Sequence, residues 1–68
     1  MSTDIQLMSD RQYEVITLLA LGMTDEAVAR KLDVSPRTVQ RHVRHVMEQL
    51  GVHSRLELGI RLTKMGIL

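Results

Sequence analysis

Apolar residues recur along this chain at the three- and four-residue intervals of helices, and no stretch shows the strict alternation of a strand. Val15, Ile16, Leu18 and Leu19 form one stripe, Val28, Ala29 and Leu32 a second, Val39, Val43, Val46 and Leu50 a third, and Leu56, Ile60 and Leu62 a fourth. Start and stop signals separate them. Ser9-Asp10-Arg11-Gln12 has the form of a capping box, which predicts a first helix from about Asp10 to Leu21, stopped by Gly22. Thr24 caps a second helix from about Asp25 to Leu32, whose first-turn acids Asp25 and Glu26 suit the positive end of a helix dipole. Ser35-Pro36 pairs a hydroxyl N-cap with proline at N1, opening a third helix from about Pro36 to Leu50 that Gly51 stops. Ser54-Arg55-Leu56-Glu57 reads as a second capping box, and the fourth helix ends near Gly66. The expectation is an all-α, four-helix domain over residues 7–68, preceded by a flexible arm over residues 1–6.

The third stripe has a polar counterpart. Arg37, Gln40, Arg41, Arg44 and His45 fall on the faces that the valines leave free, so one side of this helix can be buried while the other meets an acceptor-rich surface. A charge-rich face on a short helix is, taken alone, as readily a solvated face as a binding one. The charge distribution changes that balance. The net charge is only +1, but residues 1–29 hold five acids and one base, whereas residues 30–55 hold six bases (Arg30, Lys31, Arg37, Arg41, Arg44, Arg55) against Asp33 and Glu48. The local footprint, not the total, decides attraction to a polyanion.

Only Asp33, Val34 and Ser35 separate the second and third helices, so the pair must cross steeply, as in a helix-turn-helix. Ala29 supplies the small residue at the crossing, Val34 anchors the corner, and Val28, Leu32, Val39 and Val43 complete the contact. Asp33 stands where many such turns place glycine, and aspartate tolerates the left-handed conformation better than most residues. The third helix, about 22 Å long, fits a major groove about 12 Å wide. Gln40 can pair with adenine, and Arg41 or Arg44 with guanine, through two hydrogen bonds each. Ser35, Thr38 and the free N–H groups of the helix start are placed for phosphate.

From Leu7 to about Leu62 the chain resembles the LuxR-type, or GerE-like, DNA-binding domain of bacterial transcriptional regulators, a module shared with NarL and FixJ response regulators. Four ordered blocks carry the resemblance: Leu7 to Ile16, Gly22 to Ala29, Ser35 to Val43, and Leu50 to Arg55. It implies a four-helix bundle containing a helix-turn-helix, binding of double-stranded DNA as a homodimer on a two-fold site, and dimer contact through the fourth helix. The residues expected at that contact are Leu56, Gly59, Ile60 and Thr63. Gln40, Arg41 and Arg44 match positions that reach base edges in this family; Lys31, Ser35, Arg37 and Thr38 match positions near phosphate. RNA polymerase is a further expected partner, and the bacterial cytoplasm, at the nucleoid, the expected location. The chain departs from the family pattern in three places. Gln49 stands where lysine is common before the Leu-Gly pair, and Arg41 where relatives are often apolar. Gly59 costs a helix about 1 kcal/mol relative to alanine, which a close helix crossing would explain.

Composition excludes several other classes. The 68 residues contain no cysteine and a single aromatic residue, Tyr13, so disulfides and zinc-thiolate sites are excluded and the core must be aliphatic. No apolar run approaches the roughly 20 residues needed to span a bilayer, and no signal-peptide layout is visible. No cysteine nucleophile, glycine-rich phosphate loop or paired carboxylates beside a histidine appear, so neither an enzyme, a cofactor nor a metal site is expected. His42 is expected to pack into the scaffold with a backbone hydrogen bond, His45 to lie near phosphate, and the methionines at 8, 23, 47 and 65 to fill the core. Glu14 and Arg55 are expected to pair and hold the fourth helix against the core. Two other readings stay open: a sigma-factor-like module that reads a promoter element, and a protein-interaction module acting through the fourth helix.

Overall fold

The computed structural model describes residues 8–68, which form four helices: α1 (Asp10–Ala20), α2 (Asp25–Leu32), α3 (Pro36–Leu50) and α4 (Arg55–Lys64). No strand occurs among the described residues. The expected arm over residues 1–6, and Leu7 with it, lies outside them.

All four helices begin by one mechanism. Ser9, Thr24, Ser35 and Ser54 sit in extended backbone, and each side-chain hydroxyl accepts the N–H three residues on, from Gln12, Ala27, Thr38 and Glu57, at 3.0–3.1 Å. Each satisfies a donor that the helix itself cannot. The box at Ser9 is complete, its own N–H donating to Gln12 Oε1 at 3.0 Å. The one expected at Ser54 is not: Glu57 Oε1 reaches one residue further back and accepts from His53 N–H at 2.8 Å.

The helix ends are alike too. After each last turn one residue is left-handed, and the N–H of the next donates to a carbonyl five residues earlier: Met23 to Leu18, Val34 to Ala29, Val52 to Met47 and Ile67 to Leu62. This is the Schellman arrangement, which turns an apolar residue back against the helix it has just left. Val52 is buried, and Met23, Val34 and Ile67 pack on the core. After α2 the left-handed residue is Asp33, at φ 58° and ψ 48°, the only non-glycine residue with positive φ among those described. Its short polar side chain makes this the least costly non-glycine choice after asparagine. α1 closes one residue earlier than expected, at Ala20, leaving Leu21 exposed.

Val15, Ile16, Val28, Ala29, Val39, Val43, Val46, Val52, Leu58 and Leu62 form the core. Six of these ten are valine, whose single side-chain torsion leaves little freedom to lose on burial. Their small size lets α3 lie close to α1, α2 and α4, all of which it touches. Two arginines tie helix ends together from outside. Arg61 Nη1 donates to the Leu50 carbonyl at 3.3 Å and Arg11 Nη1 to the Leu32 carbonyl at 3.5 Å, each placing a cation at the negative end of a neighbouring helix.

α4 corrects the expected stripe. The residues it buries are Leu58 and Leu62, while Leu56 and Ile60 face outward, 76% and 49% exposed. Met8, Met23 and Met47 pack on the core as expected, but Met65, in the turn after α4, is exposed. A side chain at Gly59 would meet nothing within 4 Å, so no close crossing among the described residues accounts for this glycine.

Candidate nucleic-acid interface

α3 is divided lengthwise. Val39, Val43 and Val46 are buried, and Arg37, Gln40, Arg41, Arg44 and His45 are exposed on the side away from the core. Lys31 and Arg30, in the last turn of α2, lie exposed just before the turn into α3. None of Arg30, Lys31, Arg37, Arg41 and Arg44 is in an ion pair with a described residue. Cationic groups that are exposed, unpaired and on one helix face are free to exchange their water for anionic oxygens.

The start of α3 offers fewer free donors than its sequence suggests. Pro36 has no N–H, and Thr38 N–H is taken by Ser35, at 3.1 Å to its hydroxyl and 3.0 Å to its carbonyl. The Ser35 and Thr38 hydroxyls also bond each other at 3.0 Å. Among the described residues, Arg37 N–H is the first-turn amide left without a partner. The hydroxyls satisfy one another in the free chain and would have to turn outward to meet a phosphate.

Gln40 is the most constrained residue of the outer face. Its Nε2 donates to Oδ2 of Asp25 at 3.3 Å, and the same carboxylate accepts two bonds from Arg55, Nη1 to Oδ1 at 2.7 Å and Nη2 to Oδ2 at 3.0 Å. One carboxylate at the first residue of α2 therefore joins α3 and α4. The bond from Arg55 holds the Asp25 carboxyl below its ordinary value of 3.8, against the opposing effect of burial, and the same bond raises the Arg55 pKa. This replaces the expected Glu14–Arg55 pair. Glu14 lies 4.0 Å from Arg11 on its own helix, with both side chains about half exposed. Asp25 lies within reach of Arg55 and meets its planar guanidinium in bidentate geometry. As a junction Asp25 was not legible in the sequence. It is 15 residues from Gln40 and 30 from Arg55, and its local pattern marks it only as a first-turn acid.

His42 is half-buried on the flank of the valine stripe, and its imidazole forms no hydrogen bond with a described residue, so the expected backbone bond is missing. Burial, followed by the charges of Arg41, Arg11 and His45, lowers its pKa below the ordinary 6.5. A crevice of about 270 Å³ opens between α1 and α4, lined by Ile16, Leu19, Leu58 and Leu62. The charged groups at its rim, Asp25 and Arg55, are already paired with each other. On the far side of α4, Leu56, Gly59, Ile60 and Thr63 line a shallow groove with Ala20 and Leu68. There the Thr63 hydroxyl donates to the Gly59 carbonyl at 2.8 Å, which leaves the groove without an unsatisfied hydroxyl proton. No helix among the described residues is long and apolar enough to cross a membrane.

Comparison with known proteins gives a consistent result. The family described as "Bacterial regulatory proteins, luxR family" matches residues 6–62. The chain is 44% identical over 61 residues to the bialaphos biosynthetic pathway regulatory protein of Streptomyces hygroscopicus, covering 90% of this chain and 24% of that protein. It is 30% identical over 57 residues to the nitrate/nitrite response regulator protein NarL of Escherichia coli, covering 84% of this chain and 26% of that protein. The oxygen regulatory protein NreC of Staphylococcus aureus is 39% identical over 57 residues, again covering 84% and 26%. The chain thus spans about a quarter of the length of these relatives.

Proposed function

Because the chain belongs to the luxR family of bacterial regulatory proteins, we propose that it binds double-stranded DNA in sequence-dependent fashion, with α3 in the major groove, and thereby regulates transcription. The observation that carries this reading is the lengthwise division of α3: three buried valines fix the helix, and its opposite face presents Gln40 and three arginines that pair with no acid among the described residues. Lys31, Arg37, Ser35, Thr38 and His45 set the register on phosphates, and Gln40, Arg41 and Arg44 discriminate base edges. Its role is binding rather than catalysis.

The exposed apolar face of α4 supports a dimer of two such chains on a two-fold site. Leu56, Gly59, Ile60 and Thr63 lie one helical turn apart on one face, and Gly59, which no contact among the described residues requires, permits close approach of a second α4. The patch is small, so pairing strengthens chiefly when DNA aligns the two copies.

Selection of bound duplexes from random DNA, followed by anisotropy titrations over a range of salt concentrations, tests the reading. The expected result is a preferred two-fold site, tight binding that falls steeply with salt, and two chains per site. Equal affinity for selected and random duplexes with no salt dependence would overturn it in favour of a protein-interaction module working through α4.

A further inference from the structure

Asp25 touches Gln40 through one atom pair, and that contact has consequences for which base Gln40 accepts. A glutamine side chain can present two N–H donors, or one donor and its carbonyl oxygen. The two options match different purines. Guanine shows two acceptors in the major groove, N7 and O6, whereas adenine shows one acceptor, N7, and one donor, the N6 amino group. An unconstrained glutamine can rotate to serve either pattern.

Here Nε2 of Gln40 donates to Oδ2 of Asp25 at 3.3 Å, and Asp25 is itself fixed by two bonds from Arg55. An ionised carboxylate only accepts, so it binds the amino end of the amide and favours that orientation over the flipped one. One N–H is thereby engaged, and what remains on Gln40 is a single N–H beside a carbonyl oxygen that has no partner among the described residues. That remainder complements adenine and cannot give guanine its two donors. Arg55 also offsets the negative charge of Asp25, so the carboxylate stands close to the outer face of α3 without acting as a free anion towards phosphate.

We infer that Asp25 is a specificity-determining positioning residue: by occupying one donor of Gln40 and fixing the amide's orientation, it makes Gln40 a reader of adenine against guanine. The inference rests on the reading that α3 meets base edges, and goes beyond it by assigning Gln40's preference to a residue on a different helix. Asp25 does not touch DNA in this arrangement. Its effect is on the ratio of affinities between two bases more than on affinity itself.

The test uses the duplex selected by the unaltered chain and its four versions at the base pair whose preference Gln40→Ala removes. Affinities are measured by anisotropy below the thermal midpoint of each variant. The unaltered chain should favour adenine over guanine by about tenfold, the size of a bidentate contact. Asp25→Ala should bring the ratio to within about twofold of unity. Asp25→Ser, which retains a good helix-start residue too short to reach Gln40, should do the same and serves where the alanine variant does not fold. Ser9→Ala removes the equivalent cap at the start of α1, which involves neither Asp25, Gln40 nor Arg55, and should keep the tenfold ratio even where its overall affinity falls. A wild-type ratio in both Asp25 variants overturns the inference. An equal loss in Ser9→Ala overturns it as well, because a general loosening of the fold would then account for the change. If no base pair responds to Gln40→Ala, Gln40 reads no base and the inference falls with that assignment; the reading of α3 as a whole falls only if Arg44→Ala also leaves every base preference unchanged.

Discussion

The outer faces of α3 and α4 are both exposed, yet they suit opposite surroundings. α3 commits its apolar residues to the core and leaves arginines, Gln40 and His45 outside. α4 has more apolar residues than the core accepts, so Leu56 and Ile60 remain in water although Leu58 and Leu62 are buried. Long charged side chains keep their hydration until an anion replaces it. An exposed aliphatic strip gains free energy only when another apolar surface covers it. Exposure alone therefore does not identify an interface; what is exposed states which partner is wanted.

The sharpest way to break this comparison is within α4. Leu62→Ala should lower folding stability by about 2–5 kcal/mol in denaturant melts, since it opens a cavity at a fully buried site. Leu56→Ala should change monomer stability by no more than about 0.5 kcal/mol, while reducing the number of chains bound per two-fold site. Equal losses of stability would mean that α4 docks by its other face.

On α3 the expected effects are smaller and lie in binding. Arg44→Ala should cost about 1–3 kcal/mol on the preferred site and far less on random duplex, whereas Lys31→Ala should weaken both alike and reduce the salt slope by about 1. If the two variants behaved alike on both duplexes, the division between base-reading and phosphate-contacting residues would not stand.

The junction between the two helices gives the next effect. Asp25→Asn should cost about 1 kcal/mol, at the upper end for a surface pair because the geometry is bidentate and the Asp25 side chain only 16% exposed, with the 46% exposure of Arg55 limiting the gain. Glu14→Gln should lie within about 0.5 kcal/mol. The Asp25 carboxyl is held below 3.8 by Arg55, so the folded chain resists its protonation. The stability it contributes is complete above about pH 3.8 and is lost as pH falls through the lower folded value. Asn at this position should flatten that acid limb, as followed by thermal midpoint against pH.

The smallest effect belongs to His42. Its pKa in the folded chain is lowered, so the unfolded chain takes up a proton first as pH drops below about 6.5, and stability declines down to the folded value. His42→Gln should reduce that decline, seen as a flatter dependence of thermal midpoint on pH below about 6.5.

The two helices also differ in how far they were legible. α2 and α3 begin and end at the residues expected from Thr24, Leu32, Ser35-Pro36 and Gly51, and the outward set from Arg37 to His45 follows from the valine stripe alone. Helix caps and stops are decided by side chains three residues from the amides they serve, and by carbonyls five residues from the amides they accept, so local sequence is sufficient. The division of α3 into an apolar and a polar face was sufficient in the same way, because only one orientation buries the valines.

α4 offered no such choice. Leu56, Leu58, Ile60 and Leu62 stand at every second position, which places apolar residues on both sides of a helix, so periodicity cannot say which pair is buried. Docking against α3, with Arg61 on the Leu50 carbonyl and Arg55 on Asp25, decides it. The partner of Arg55 was undetermined for the same reason. Acids on α1 and α2 were both available, and only the packed arrangement of helices distant in sequence brings Asp25, and not Glu14, within reach. What this chain's sequence determined by itself was every feature set by contacts within a helical turn or two; what the tertiary structure decided was every feature that depends on which surface a second helix covers.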